Sequence, residues 1–307
     1  MKKQEIESYV KAGEIAKEIK KFTRILIKSG AKLIDIAESI DAKIFELGGG
    51  LAFPVNLSLN EIAAHYTPVP KDETVAEGIL KIDLGVAVDG YIADTAFSVD
   101  LTKDGEFEKM IELNKKILAN VGNEIEVGVE IRKVGEVCQR TLEEWNKKND
   151  SKFSIIKNLS GHSLGQNDIH AGLTISNYEN DNKNVLNGAF AIEPFVTTGV
   201  GEIYEGQPGG IYVLQSDAPI RDRDARDVVK FIKENFLTLP FCLRWLVRNS
   251  ELGDKFSESK LRFILSILIK QGILYEYPML IEKSKKPVSQ FENTFVIADG
   301  EVRCTTK

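Results

Sequence analysis

Residues 81–99 read KIDLGVAVDGYIADTAFSV, the pattern of two strands joined by a tight turn. Asp89-Gly90 supplies the turn, because a two-residue hairpin loop needs backbone conformations that Asp-Gly adopts readily. With those two residues as the loop, Val88 faces Tyr91 and Gly85 faces Asp94, with Asp83 two residues further along. Strand side chains alternate between faces, so Asp83 and Asp94 share a face as diagonal neighbours, about 7–8 Å apart at the backbone. Two carboxylates side by side on apolar strands call for a cation. Aspartates are more often solvated, so the pair alone leaves both an ion site and an exposed surface open.

Outward from this hairpin, Ile6, Val10, Ile15, Ile19, Phe22 and Ile25 recur at roughly helical spacing and predict a long amphipathic helix over about residues 5–28. A second helix is expected over 32–47. Residues 110–149 repeat the design: helix, glycine-containing break, helix. Aligning Gly30 with Gly128 sets Leu33 on Ile131, Ile36 on Val134, Ala37 on Gly135, Glu38 on Glu136 and Ile44 on Leu142, all at an offset of 98 residues. Either the chain contains a duplicated α/β half, or two amphipathic helices coincide at their apolar positions. Strand-like segments lie at 79–88, 90–101, 153–159, 188–197, 210–215 and 290–297. Segregated helices beside mostly antiparallel strands predict an α+β fold. Segment 221–285 turns helical again (225–236, 240–247 and 258–271) before an apolar run at 273–281, a pattern resembling a winged-helix module. It reads as an insertion into a main domain formed by residues 1–220 and 286–307.

Composition narrows the function classes. The 307 residues are 43% hydrophobic and 28% charged with a net charge of −6, which suits an ordinary globular protein and gives no general reason to expect a nucleic acid or an anionic membrane as partner. Cys138, Cys242 and Cys304 are few, widely spaced and odd in number, so neither a disulfide framework nor a cysteine zinc site is expected, and a reducing cytoplasm fits. Residues 1–21 are charged and helix-periodic without an apolar signal core, and no uncharged stretch reaches the ~18 residues of a membrane span. Within the insertion, residues 258–270 carry Lys260, Arg262 and Lys270 against Glu258 and are otherwise mostly apolar, so this helix is expected to pack rather than to bind DNA. His65, His162 and His170 are the whole histidine supply.

Three further stretches bear on the aspartate pair. SGHSLGQNDIHAG, residues 160–172, places two histidines eight residues apart among glycines. GAFAIEPFVTTGVG, residues 188–201, sets Glu193 in an apolar strand just before a proline. SQFENTFVIA, residues 289–298, does the same with Glu292 between Phe291 and Phe295. A glutamate in a buried strand is costly to ionise unless it is paired or binds metal. Four carboxylates and a histidine on one sheet system would give an oxygen-rich cage for two divalent ions.

Together AFPVNLSLNEIAAHYTP at 52–68, the 81–99 hairpin, GHSLGQNDIHAG, AIEPF and SQFENT closely resemble the type 2 methionine aminopeptidases, in an archaeal-like form without the N-terminal charged extension. The likeness spans nearly the whole chain in the family's order. It implies the pita-bread fold, two related α/β halves around a dinuclear site, and makes the 221–285 insertion a mark of type 2. It implies Asp83, Asp94, His162, Glu193 and Glu292 as metal ligands, with Asp94 and Glu292 bridging two divalent ions. Mn, Fe, Co and Zn all suit this donor set. It implies His65 against the scissile amide nitrogen, His170 against the substrate carbonyl, Glu193 as proton shuttle, and Phe53, Ile169, His170 and Tyr277 around the methionine side chain. A metal-bridging hydroxide would be the nucleophile, the substrates N-terminal Met peptides and nascent chains, with ribosome association plausible for the family and a monomer its precedent. Asn293 departs from the pattern, which usually has histidine there.

Two other readings share the fold. Prolidases and aminopeptidases P use an equivalent ligand set, but resemble this chain only over their C-terminal half. Metal-free relatives bind partners after losing their ligands, whereas all five ligand positions are present here.

Overall fold

The computed structural model describes residues 1–307. Helices α1 (Lys3–Leu26) and α2 (Leu33–Glu46) precede strands β1 (Gly50–Leu59), β2 (Ile62–Ala64), β3 (Ile79–Val88) and β4 (Tyr91–Asp100). Helix α1 buries Ile6, Tyr9, Ala12, Ile15, Ala16 and Ile19, one apolar stripe at three- and four-residue spacing. That stripe packs on β3 and β4, while α2 packs on β1. Strands β3 and β4 pair in the expected register, Val88 opposite Tyr91 and Gly85 opposite Asp94. Asp89 and Gly90 both have positive φ, as a primed hairpin turn requires.

The second half runs through α3 (Glu108–Glu124), α4 (Ile131–Asn149), β5 (Ser154–Ile155), β6 (Ser160–Leu164), β7 (Thr174–Ser176), β8 (Gly188–Ile192), β9 (Phe195–Thr197) and β10 (Ile203–Leu214). The 98-residue offset extends to main-chain bonds. Leu33 N donates to Thr74 O and Ile131 N to Asn184 O, while Ala76 N donates to Ala31 O and Leu186 N to Val129 O. Coincident amphipathic patterns would not reproduce those bonds, so the repeat is a duplication of structure.

The chain continues as α5 (Arg223–Asn235), β11 (Phe241–Cys242), α6 (Leu243–Arg248), α7 (Ser250–Gly253), α8 (Glu258–Lys270) and β12 (Leu274–Glu282), then β13 (Val288–Gln290), β14 (Asn293–Ala298) and β15 (Glu301–Cys304). All strand pairs are antiparallel. They form four sheets, ordered β1-β3-β4, β11-β10-β12-β2, β13-β9-β5 and β15-β14-β8-β6-β7. A 43-residue apolar core joins the helices and sheets of both halves, and a separate 19-residue core lies among α5 to α8. Leu261, Ile264, Leu265 and Leu268 of α8 are buried in that second core, which accounts for the apolar character of residues 258–270. Strand β12 pairs with β10 and with β2, tying this segment to the first half. No helix is long and apolar enough to cross a membrane.

Several strand expectations change. Segment 188–197 is two strands broken at Glu193-Pro194, and 290–297 falls into β13 and β14 around Phe291-Glu292. Pro194 has no N–H to offer a ladder, and the Glu292 N–H donates to Ala96 O on β4 instead of continuing its own strand. The 153–159 strand shrinks to β5, since Ile156 and Lys157 donate to separate carbonyls, Phe195 O and Gly201 O. The 240–247 helix starts later, at Leu243, because Phe241 and Cys242 pair with β10. Strands β1 and β10 carry register shifts around Pro54 and around Gly206–Gly209, and such interruptions hide the alternation that marks a strand.

A buried polar contact clamps α2 to α6. Trp245 Nε1 donates to Asp41 Oδ2 at 2.8 Å, Arg244 Nη1 lies 3.7 Å from the same oxygen, and Arg244 Nη2 donates to Thr67 Oγ1 at 3.2 Å. Because Arg244 is 1% exposed, Asp41→Leu strands its charge and should lower stability by about 3–5 kcal/mol in urea unfolding followed by circular dichroism. The double change D41L/R244M should recover most of that loss.

Candidate metal centre

Register and strand breaks together aim the acidic side chains inward. Phe53 on β1 pairs with Gly85 on β3, which pairs with Asp94 on β4, and the neighbouring row runs Asn56, Asp83, Ala96. Both glutamates sit at the interruptions just described. Asp83 and Glu193 stand 110 residues apart, the same offset that relates Thr74 to Asn184 and Ala76 to Leu186, so the two halves contribute corresponding carboxylates. His162 on β6 is flanked by Ala191 on β8 and Thr174 on β7.

A polar seam locks β4 against β13 and β14. Asp94 N donates to Thr294 Oγ1 at 2.8 Å, and Thr294 Oγ1 donates back to Asp94 O at 2.7 Å. Thr95 Oγ1 donates to Glu292 O at 2.8 Å, while Ser98 Oγ donates to Gln290 O and accepts from Gln290 N, each at 2.9 Å. These bonds satisfy main-chain groups that the strand breaks would leave unpaired in the interior.

Phe53, His65, Asp83, Asp94, His162, Ile169, His170, Glu193, Tyr277 and Glu292 all line one cavity of about 380 Å³. Every candidate ligand, catalytic and substrate-contacting residue named from the sequence therefore reaches the same space. His65 has a positive φ of 66°, held by its N–H donating to Asn56 Oδ1 at 2.8 Å, and its ring centre lies 5.3 Å from that of Tyr277 on β12. His170, in the loop between β6 and β7, has its ring centre 4.6 Å from that of His162.

The electrostatics are severe. Asp94 and Glu292 are 3% and 1% exposed, and no lysine or arginine pairs with any of the four carboxylates. His162 Nε2 lies 3.6 Å from both Asp94 Oδ2 and Glu193 Oε1. Gln290 Nε2 lies 3.3 Å from Asp83 Oδ2 and from Glu193 Oε2, joining the corresponding acids of the two halves. Asp83 Oδ1, Asp94 Oδ1 and both Glu292 carboxylate oxygens are buried without a hydrogen-bond partner. Burial pushes Asp83 up to about 7, and burial with mutual repulsion holds Asp94, Glu193 and Glu292 well above the carboxylate range. Burial and the neighbouring His170 depress His162 to about 3, leaving a neutral imidazole with a lone pair to give.

This donor set fits divalent cations. Its orphaned oxygens lack a positive partner, and ligand atoms of Asp94, His162 and Glu292 lie within 4.8 Å of one another. Oxygen and imidazole donors are those that Mn, Fe, Co and Zn accept. Sequence reasoning missed Gln290 and Asn56, which hold the acids and His65 in place. Gln290 was open to notice, two residues before Glu292 in SQFEN. Asn56 gave no signal, because its role depends on the β1–β3 pairing.

Known proteins resemble the chain along its whole length. It is 40% identical to the methionine aminopeptidase of Pyrococcus horikoshii over 99% of this chain and 100% of that protein. It is 43% identical to that of Thermococcus kodakarensis over 98% and 99% respectively. Its fold matches a solved thermophilic Arx1 with a TM-score of 0.82 at 16% identity, over 99% of this chain and 91% of the other. The sequence model of metallopeptidase family M24 covers residues 7–229, and with those full-length identities it makes this chain a member of metallopeptidase family M24.

Proposed function

We propose that this metallopeptidase is a methionine aminopeptidase that removes the N-terminal methionine from peptides and nascent chains, and that Asp83, Asp94, His162, Glu193 and Glu292 are the residues that would hold two divalent ions. The observation that carries the reading is the convergence of four carboxylates and a neutral imidazole on one cavity whose wall has no lysine or arginine. Divalent ions bound there supply Lewis acidity, which lowers the pKa of water and lets all four acids stay ionised at neutral pH.

The remaining steps belong to this chain's side chains. Glu193 takes the proton of the attacking water and passes it towards the departing amine. His170 hydrogen-bonds the carbonyl oxygen of the first residue as negative charge develops there. His65, depressed to about 4 by burial and by His170, is neutral at pH 7 and offers its ring to the scissile amide nitrogen. Phe53, Ile169 and Tyr277 give the apolar contact suited to a flexible thioether. The acid-lined end of the cavity receives the free α-amino group, which restricts cleavage to the first residue.

Alanine at Asp94 or Glu292 should abolish methionine release from Met-Ala-Ser in metal-replete buffer and lower bound metal by elemental analysis; unchanged turnover would remove the ligand assignment. Faster release from Xaa-Pro dipeptides by the unmodified protein would move it to the prolidase type. His65→Ala should cut turnover about 100-fold with metal content unchanged. In the metal-stripped protein, acids whose folded pKa is raised bind protons that the unfolded chain has released, so stability falls as pH rises from the usual carboxylate range through the value of about 7 for Asp83. Melting of chelator-treated protein should therefore occur at a lower temperature at pH 7.5 than at pH 5, and restored metal should raise it most at the higher pH.

A further inference from the structure

On the far side of Glu292 lies a second cleft, of about 570 Å³, and its lining is the electrostatic opposite of the catalytic cavity. Lys17, Lys20, Lys21 and Arg24 enter it from one face of α1, Lys115 from α3 and Lys307 from the C-terminal end. Glu292 is the sole acidic side chain in the wall. Of the six basic residues, Lys21 alone has an ion-pair partner, Glu18 at 2.7 Å on the surface. Counting Glu292 still leaves the cleft strongly positive, in a chain whose net charge is −6.

Like charges three and four residues apart on a helix repel each other and weaken it. Residues 17, 20, 21 and 24 repeat that spacing, offset only in part by Glu14 and by Glu18, which pairs with Lys21, so a counter-anion would relieve the remaining repulsion. Two of these groups are also held in place. Lys20 Nζ donates to Thr95 Oγ1 at 3.0 Å and to Thr306 O at 2.5 Å, and the Arg24 guanidinium lies 4.0 Å from the centre of the Phe97 ring. The cleft is of ligand size, and lysine ammonium groups beside one arginine suit tetrahedral oxyanions of high charge.

We propose that this cleft is a binding site for a small phosphoryl anion carrying several negative charges, distinct from the catalytic cavity and separated from it by Glu292. Inorganic pyrophosphate is the probe. Titration calorimetry on the metal-loaded protein should show saturable binding at one site per chain, with sodium sulfate at matched ionic strength failing to reproduce it. Because pyrophosphate also chelates divalent ions, the reading is the difference between the protein and its variants. K17E/R24E on α1 and, separately, Lys115→Glu on α3 should each weaken binding about tenfold or more, while leaving methionine release without pyrophosphate unchanged and the circular dichroism melt no lower. Equal binding by all three proteins, or no saturable heat beyond chelation, would overturn the proposal. So would tight binding of a single-stranded RNA oligonucleotide that pyrophosphate does not displace, since it would assign the cleft to a nucleic-acid backbone.

Discussion

Four carboxylates are forced together in the interior, and much of the architecture around them works to keep them there. Left alone, Asp83, Asp94, Glu193 and Glu292 would separate or take up protons, since ionised groups in a low-dielectric site repel strongly and are costly to desolvate. The reciprocal bonds between Asp94 and Thr294, and those from Thr95 and Ser98 to the main chain at Glu292 and Gln290, oppose separation. The Gln290 amide spans the gap between Asp83 and Glu193. A scaffold that spends so many polar contacts on holding acids close is built for a cation.

The pita-bread fold explains where this stiffness comes from. Each half brings a helix pair and strands, and the repeat at offsets of 98 and 110 residues carries corresponding acids to either side of the centre. The symmetry supplies one pair of carboxylates, Asp83 and Glu193, but not the rest of the cavity. His162 enters from β6 beside β8, His65 from the segment just after β2, and Tyr277 from β12, which returns from the helical segment to pair with β2 and β10. A symmetric frame thus positions the charge, and asymmetric additions shape the space above it for a substrate with two different ends.

The two faces of Glu292 sit in contrasting fields. Its carboxylate belongs to the acidic cavity, whereas the residue also borders the cleft lined by α1 lysines. Lys20 reaches towards it through Thr95, which donates to Glu292 O. Asn293 accepts from Thr306 Oγ1 at 3.0 Å on that basic side, so it belongs to the wall between the two spaces.

Local sequence carried much of this. The Asp-Gly turn set the β3–β4 register, because a two-residue loop leaves no slack, and with it the shared face of Asp83 and Asp94. Helical periodicity located α1 to α4, and the constant offset raised the duplication that the corresponding main-chain bonds then established. Five short motifs then supplied nine of the ten candidate site residues found lining the cavity, Tyr277 being the tenth. Tertiary structure decided what depends on partners distant in the chain. Glu193 and Glu292 read as strand residues but stand at breaks, since the Glu292 main chain bonds to β4, nearly 200 residues away. Asn56 gained a task only once β1 lay against β3 and His65 came within reach of its side chain. The basic cleft needed α1, α3 and the C-terminus to meet, because charges spread along a sequence become a field only when folding places them on one surface.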